Sequence, residues 1–144
     1  MSNTKQNFNE IIRNLLIRHE GIRLKPYRCT AGKLTIGIGR NLEDNGITTA
    51  EALNLLNNDI ESVVASLTSR YAWFPNLNEV RQAVVVDMAF NLGITGFANF
   101  KKTIAYLNQA DYIRASLEML NSKWALQVGQ RANNLSKMMK NGYL

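Results

Sequence analysis

The sequence has little of what marks the specialised classes of protein. It contains one cysteine and two prolines among 144 residues, which excludes an intramolecular disulfide, a cysteine-rich zinc site and a proline-rich fibrous chain. No apolar run approaches the roughly 20 residues that a membrane span needs. Arg13 and Arg18 interrupt the apolar residues near the N-terminus, so we expect neither an export signal nor stable insertion into a membrane.

The composition that remains is globular and basic. Seventeen Lys and Arg against eleven Asp and Glu give a net charge of +6, and 46% of the residues are hydrophobic. A chain of this length supports one core, so we expect a single domain. Positive charge favours partners such as nucleic acid, anionic lipid or an acidic wall polymer. The chain has no phosphate-binding loop and no helix-turn-helix pattern, and we expect no nucleic-acid partner.

Hydrophobic spacing predicts a helix, then a small sheet, near the N-terminus. Apolar residues recur at helical intervals from Phe8 to His19, and Gly21 is the predicted stop. The segments 24–27 and 34–38 are short and contain aromatic or β-branched residues, and a turn sequence separates them. They predict a hairpin, with a third short strand or loop through Asn45 and Gly46.

The remainder is predicted to be mostly helical. Thr48 and Glu51 have the spacing of a capping box, which predicts a long helix whose apolar stripe reaches Leu67. Further helical patterns cover about 78–93, 112–120 and 132–139, and Asn99 is a candidate cap for a short helix. The predicted fold class is therefore α+β, with a small sheet lobe followed by a larger helical lobe.

Three side chains with reactive groups fall close together around the predicted hairpin. Glu20 ends the first helix, Cys29 ends the first strand, and Thr35 opens the second. A carboxylic acid, a thiol and a hydroxyl on one hairpin suggest acid–base or nucleophilic chemistry. Residues of these types are also common as a solvated helix end, a small buried side chain and an ordinary strand residue, so the types alone leave both interpretations open.

The order of these residues is more specific than their types. The pattern E-G-x-R-L-x-x-Y, a Cys nine positions after the Glu, and T-I-G-x-G with its Thr fifteen after the Glu resemble the phage-type lysozymes of glycoside hydrolase family 24. The segments 89–96 and 122–127, followed by Arg131, are similar to later blocks of that family. The resemblance covers the chain from Phe8 onward and implies a lysozyme-like fold with a cleft between the lobes.

The resemblance implies a muramidase, which cleaves the β-1,4 bond between N-acetylmuramic acid and N-acetylglucosamine in peptidoglycan. Glu20 matches the general acid of the family, which must hold a proton for the leaving group. Cys29 matches the second catalytic position, which is Asp in some members and Cys in others. Thr35 matches the residue that helps to place the attacking water.

Cys29 makes the mechanism distinctive, because a thiol is mostly neutral at pH 7 while a carboxylate is charged. Lys25, Arg28 and Lys33 lie close in sequence, and their charges would lower the pKa of the thiol. A thiolate could act as a base toward water or as a nucleophile. We favour the base.

The resemblance also implies a substrate-binding set outside the hairpin. Arg131 matches an arginine that pairs with the catalytic Glu, and Asn41 is a candidate through its backbone. Aromatic residues at helical spacing belong to a core as often as to a sugar platform, which leaves Phe90 and Trp124 open to both interpretations. Glu118 departs from the family at a saccharide contact. The set comprises Asn41, Phe90, Asn91, Thr103, Trp124, Gln127 and Arg131.

We also expect an ion pair between Arg40 and Asp59, which would link the two lobes. Arg40 stands where many members of the family have His, and Asp59 matches an acidic partner of that position.

These expectations define a single lysozyme domain over residues 1–144, with a sheet lobe at about 21–47 and a helical lobe at about 1–20 and 48–144. We expect a monomer that needs no cofactor and no metal, and whose partner is peptidoglycan. Such an endolysin would accumulate in the host cytoplasm and reach the periplasm and cell wall through holin-made lesions.

Three alternatives remain at this stage. A lytic transglycosylase would share the substrate. A cysteine peptidase of the wall would pair Cys29 with His19, the only histidine, although His19 and Glu20 face different directions on a helix. A non-enzymatic module would use the basic segment from Arg131 to Lys140 to bind nucleic acid or an anionic membrane.

Overall fold

A computed structural model describes residues 7–144 of the chain, so the polar start before Asn7 lies outside the described residues. The described part is α+β, as predicted, with one small antiparallel sheet and a majority of helices. In chain order its elements are α1 Phe8–Glu20, β1 Arg23–Arg28, β2 Leu34–Gly37, β3 Arg40–Asn41, α2 Leu42–Asn45, α3 Thr49–Arg70, a 3-10 turn Phe74–Asn76, α4 Glu79–Ala98, α5 Lys101–Asn108, α6 Tyr112–Leu120, α7 Lys123–Val128 and α8 Gln130–Asn141.

The chain forms two compact units, and the division falls between Leu53 and Asn54, just after the first turn of α3. The N-terminal unit contains α1, the sheet and α2. The C-terminal unit contains the rest of α3 and every later helix. Grouping α1 with the sheet differs from the expected lobes, which placed residues 1–20 with the later helices.

The first helix begins and ends where its sequence predicts. Asn7 caps it by accepting a hydrogen bond of 3.0 Å from the backbone N–H of Glu10. Gly21 ends it with a φ of 72°, a left-handed conformation that favours glycine. Glu20 is thereby fixed as the last helical residue, immediately before the chain turns into β1.

The sheet has the order β1-β2-β3, and both pairings are antiparallel. Tyr27 pairs with Thr35, and Thr35 pairs in turn with Asn41. The third strand is Arg40–Asn41, so the expectation of a strand near Asn45 and Gly46 is wrong, whereas its alternative, a loop, is found from Gly46 to Thr48. Residues 42–45 instead form α2, because Asn41 caps a helical turn there by accepting a hydrogen bond from the backbone N–H of Asp44.

The capping box at the start of α3 is confirmed. The hydroxyl of Thr48 accepts a hydrogen bond of 3.1 Å from the backbone N–H of Glu51, and the carboxylate of Glu51 accepts one of 2.9 Å from the backbone N–H of Thr48. Of the apolar stripe predicted for α3, only Leu67 is fully buried.

The hydrophobic core of the described residues lies in the C-terminal unit. Its largest fully buried side chains come from every helix there except α7, which adds the nearly buried Trp124. Phe97 lies between two aromatic neighbours, Tyr71 and Phe100. The fully buried set includes Phe97, Leu67, Met88, Leu107, Met119 and Met139.

Two features of these helices differ from the sequence expectation. Asn99 ends the helical segment before it instead of capping α5, which follows Phe100 without a side-chain cap. The short helix α7 was not predicted, and Ser122 caps it through its hydroxyl. By contrast, Gly93 interrupts α4 with a φ of 76°, at the residue predicted to stop that helix.

Candidate active site

Glu20 lies against the turn that connects β2 to β3. A methyl group built on the Cα of Gly39 would come within 3.0 Å of both the carboxyl carbon and Oε2 of Glu20. Gly39 has a φ of 69°, so the turn needs glycine for its backbone conformation as well as for this close approach. The carboxyl group itself remains exposed to solvent.

Cys29 lies at the turn between β1 and β2, where hydrogen bonds stabilise its ionised form. Donors from the backbone of Lys33 and Ala31, and then the Thr35 hydroxyl, lower the pKa of the Cys29 thiol from its ordinary value. The turn is closed by two backbone bonds, from Cys29 to the Lys33 carbonyl and from Gly32 to the Cys29 carbonyl. A half-buried thiol in this environment is more readily ionised than a free one.

Two of the three cations close to Cys29 in sequence are paired with acidic residues. Arg28 pairs with Glu43 at 3.0 Å, and Lys33 pairs with Glu43 at 3.5 Å and with Asp44 at 3.2 Å. The acidic first turn of α2 therefore offsets the charges of these two residues. Hydrogen bonds, and not these cations, lower the pKa of the thiol.

Thr35 and Asn41 lie opposite each other on β2 and β3. Thr35 is buried, and its hydroxyl has one proton, which it donates either to the Lys33 carbonyl at 2.9 Å or to the ionised thiol. The side chain of Asn41 is committed to α2, since its oxygen caps the helix and its nitrogen donates to Asp44. Only the backbone of Asn41 is left for a ligand, as the sequence interpretation assumed.

Arg40 follows Gly39 and makes a two-pronged ion pair. Its two terminal nitrogens donate to the two carboxylate oxygens of Glu51 at 2.9 and 2.8 Å, and one of them also donates to the Gly46 carbonyl. The pair lowers the pKa of Glu51 to about 2 and raises that of Arg40. The acidic partner predicted from the sequence, Asp59, is therefore wrong, because Glu51 is already held beside Arg40 by the capping box.

In the C-terminal unit, three of the proposed binding residues line one cavity of about 650 Å³. Thr103 and Trp124 are buried in its wall, whereas Gln127 is exposed. The indole N–H of Trp124 donates to the side-chain oxygen of Asn91 at 2.9 Å, which joins a fourth residue of the set to this wall. Trp124 is thus a wall of the cavity and part of the core, with little face free for stacking.

The same cavity carries four charged side chains, and only one of them, Glu118, was singled out by the sequence. Glu118, Lys101, Lys102 and Lys123 line it, and none of the four forms an ion pair with another of the residues 7–144. Three cations against one anion make this cavity attractive to a ligand with negative charge.

Phe90 and Arg131 line a different concavity of the C-terminal unit, which is mainly apolar. Arg131 is held there by Asp87, with its Nε 2.9 Å and one terminal nitrogen 2.7 Å from the same carboxylate oxygen. Phe90 is 45% exposed, so it is available as an apolar platform. Asp87 was missed by sequence reasoning, although it precedes Asn91 by one helical turn on the same face of α4.

The described residues contain no group of three or more acidic, His or Cys side chains that could hold a metal ion. No single helix among them is long and apolar enough to cross a membrane, and one pair, α4 with α5, meets that test only when taken together across a bend of 101°.

Residues 17–140 match the phage lysozyme family model, and this range includes Glu20, Cys29, Thr35 and every proposed binding residue. The chain belongs to the phage lysozyme family. Membership makes it a glycosidase of the lysozyme type.

Individual relatives agree with this membership. The chain is 35% identical to an endolysin of Acyrthosiphon pisum secondary endosymbiont phage 1, over 77% of this chain and 75% of the relative. It is 30% identical to a SAR-endolysin of Escherichia phage Mu, over 89% of this chain and 74% of the relative. It is 26% identical to a probable T4-type lysozyme of Dictyostelium discoideum, over 92% of this chain and 95% of the relative.

The alternative functions are not favoured in this phage lysozyme. A cysteine peptidase needs a histidine at the thiol, and the hydrogen bonds that act on Cys29 come from Lys33, Ala31 and Thr35 instead. Neither a transglycosylase nor a nucleic-acid or membrane module is among the relatives described above.

Proposed function

We propose that the chain is an endolysin muramidase that hydrolyses the β-1,4 bond between N-acetylmuramic acid and N-acetylglucosamine through Glu20, Cys29 and Thr35. The observation that supports these roles is the local structure of the N-terminal unit. The exposed Glu20 at the end of α1 lies against the turn between β2 and β3, and the hydrogen-bonded thiol of Cys29 lies at the turn between β1 and β2. Residues 1–144 would act as a single lysozyme domain and as a monomer, without a metal or cofactor.

Glu20 is the general acid in this proposal. Glu20 is the exposed last residue of α1 and its carboxyl group lies beside a glycine turn, so a glycosidic oxygen can approach it. Protonating that oxygen allows the leaving sugar to depart as an alcohol, which general acid catalysis typically accelerates by about 10²–10⁴-fold.

Cys29 is the base, acting on a water molecule. Glu20 lies at the turn that follows β2, whereas the thiol is bonded to residues at the beginning of β2, so the two groups flank opposite ends of this strand. Inverting glycosidases hold a water between an acid and a base that lie roughly 6.5–9.5 Å apart, and a direct nucleophile needs a shorter separation, so a position at opposite ends of the strand favours the role of base. Thr35 supports the thiolate through its hydroxyl and aligns it with the water.

The substrate-binding surface would include the cavity walled by Thr103, Trp124 and Gln127, with Asn91 behind the indole. Peptidoglycan carries carboxylates, and the unpaired lysines of this cavity favour an anionic polymer. Phe90 and Arg131 would bind a further part of the substrate from their own concavity. The backbone of Asn41 would contribute from the sheet.

The route to the substrate is also a proposal. The relatives include two endolysins of phages. An endolysin of this kind would accumulate in the host cytoplasm and reach the periplasm and cell wall through lesions made by a holin.

The test is a comparison of the wild type with Glu20→Gln on purified peptidoglycan and on Gram-negative cells whose outer membrane has been removed. The wild type should clear the suspension and release new reducing ends, and the variant should lose at least about 100-fold of both activities. His19→Gln, one residue away, is the matched control and should keep its activity. Full activity of Glu20→Gln would overturn the assignment of the acid.

A further inference from the structure

The carboxyl group of Glu20 lies against the backbone of a neighbouring turn, which has no reactive group of its own. Ile36 pairs with Arg40, so the intervening residues 37–39 form a tight turn at the edge of the sheet. Gly37 and Gly39 both have left-handed φ values, 71° and 69°. Because Gly39 approaches Glu20 without any side chain between them, a movement of this turn changes the space available to the carboxyl group directly.

One side of the turn is anchored to a helix. Arg40, the residue after Gly39, is bound by both oxygens of Glu51 and by the carbonyl of Gly46. A planar guanidinium on a carboxylate with two parallel bonds is fixed in direction as well as in distance. The guanidinium and the carboxylate are each about 40% exposed, so this is a geometric anchor more than a source of stability.

Glu51 is itself immobilised by a second element. It belongs to the first turn of α3, and its Oε1 accepts hydrogen bonds both from Arg40 and from the backbone N–H of Thr48. The contacts therefore run without interruption from the beginning of α3 through Arg40 to Gly39 and on to the carboxyl group of Glu20.

We propose that the ion pair between Arg40 and Glu51 is a positioning device for the general acid, which holds the 37–39 turn at the distance that orients the carboxyl group of Glu20. This inference rests on the proposed function. Neither residue touches the substrate or the reacting atoms. Their effect reaches the reaction through the backbone of Gly39, and misplacing a catalytic group by about 1 Å can cost up to 10²-fold in rate.

The experiment measures kcat and apparent KM for peptidoglycan hydrolysis in Arg40→Gln, Glu51→Gln and the double variant, at a temperature at which circular dichroism shows all of them to be folded. Each single variant should lose about 10- to 100-fold in kcat with little change in KM. The double variant should lose no more than either single variant, because both changes release the same anchor.

The matched control is Arg114→Gln, which makes the same chemical change at an ion pair with Asp111 in the C-terminal unit. It should leave kcat unchanged. If the wild type hydrolyses peptidoglycan and the Arg40 and Glu51 variants keep full kcat while folded, the positioning role is wrong and the proposed function stands. If the folded wild type itself has no activity, the proposed function fails.

Discussion

In the proposed function, Cys29 fills the second catalytic position on a different physical basis from a carboxylate. A carboxylate is ionised at pH 7 without help, whereas a thiol needs its environment to favour the charged form. The structure supplies this through donors from Lys33, Ala31 and Thr35, all of which belong to the turn and strand that follow the thiol. The hairpin itself is therefore the device that activates Cys29.

The first prediction concerns the pH dependence of the reaction. The active form of Cys29 is the thiolate, so kcat should fall as the pH drops below the lowered pKa of the thiol. Cys29→Asp should remain active and should move this acidic limb to lower pH, since a carboxylic acid titrates near pH 4. Cys29→Ser should lose most activity at every pH. A pH profile of kcat for the three proteins measures these effects.

Because Cys29 is the only cysteine, alkylation provides a clean control. Iodoacetamide should inactivate the wild type and leave Cys29→Asp unaffected. Full activity of both the alkylated wild type and Cys29→Ser would show that the thiol is dispensable.

The second prediction is that Gly39→Ala impairs catalysis. The added methyl group would lie 3.0 Å from the Glu20 carboxyl group, so the acid must move. We expect kcat to fall by about 10- to 100-fold. Gly93→Ala has a comparable positive φ of 76° and meets nothing within 4 Å, so it reports the cost of backbone strain alone. Equal losses of kcat in the two variants would contradict the role of the Glu20 contact.

The candidate catalytic residues could be predicted from their order along the chain, whereas the partners in ion pairs could not. The spacing of Glu20, Cys29 and Thr35 was enough to indicate the family, which the family match confirms. The partner of Arg40 was predicted wrongly, because nothing in the sequence reveals that Glu51 is aimed at Arg40 by its cap. Asp87 was missed for the same reason, since its role depends on Arg131, which is 44 residues away.

At the scale of secondary-structure elements, the length of each element determined whether the sequence could predict it. The helix α1 and the start of α3 have long apolar patterns or a clear cap, and both were found. Helix α2 has four residues and α7 has six, which is too few to show a period. The displaced position of β3 has the same cause, because a strand of two residues is defined by its partner and carries no pattern of its own.

The third prediction concerns how much the first turn of α3 contributes to the stability of the fold at low pH. The folded pKa of Glu51 is about 2, below its ordinary value of 4.5, so its ionised form stabilises the fold. That contribution is present in full above pH 4.5 and is lost as the pH falls toward 2. The free energy of unfolding should therefore decrease across this range in the wild type and less steeply in Glu51→Gln. Urea unfolding at several pH values checks this, with Glu10→Gln as an exposed acidic control.

Parallel curves for the wild type and Glu51→Gln would mean that the ion pair with Arg40 is not formed in solution. Glu10 is a suitable comparison because only its backbone takes part in a cap, so its side chain carries no described ion pair.

At the scale of the whole molecule, the net charge is +6, and part of the positive charge lies at the cavity of the C-terminal unit. Lys101, Lys102 and Lys123 contribute three of the positive charges there, and only Glu118 opposes them. Long-range attraction from the remaining charge would concentrate the enzyme at an anionic wall, while these lysines would act on the part of the polymer that enters the cavity.

The fourth prediction separates these two effects. Added salt should slow lysis by the wild type, because the screening length is about 10 Å at 0.1 M ionic strength and shortens further as salt is added. Replacing Lys101, Lys102 and Lys123 by Gln should raise apparent KM more than replacing Lys25, Lys137 and Lys140, which removes the same formal charge elsewhere. Equal increases of apparent KM would show that only the net charge matters and that the cavity does not bind the polymer.

The central claim is that the chain cleaves a glycosidic bond by hydrolysis. An acid beside the hairpin and a base on the hairpin would carry out this step. Mass spectrometry of purified peptidoglycan digested to completion tests it most directly. The account predicts fragments that end in hydrated, reducing N-acetylmuramic acid with their peptides intact. Fragments ending in anhydromuramic acid, or cut peptides on uncut glycan strands, would contradict it.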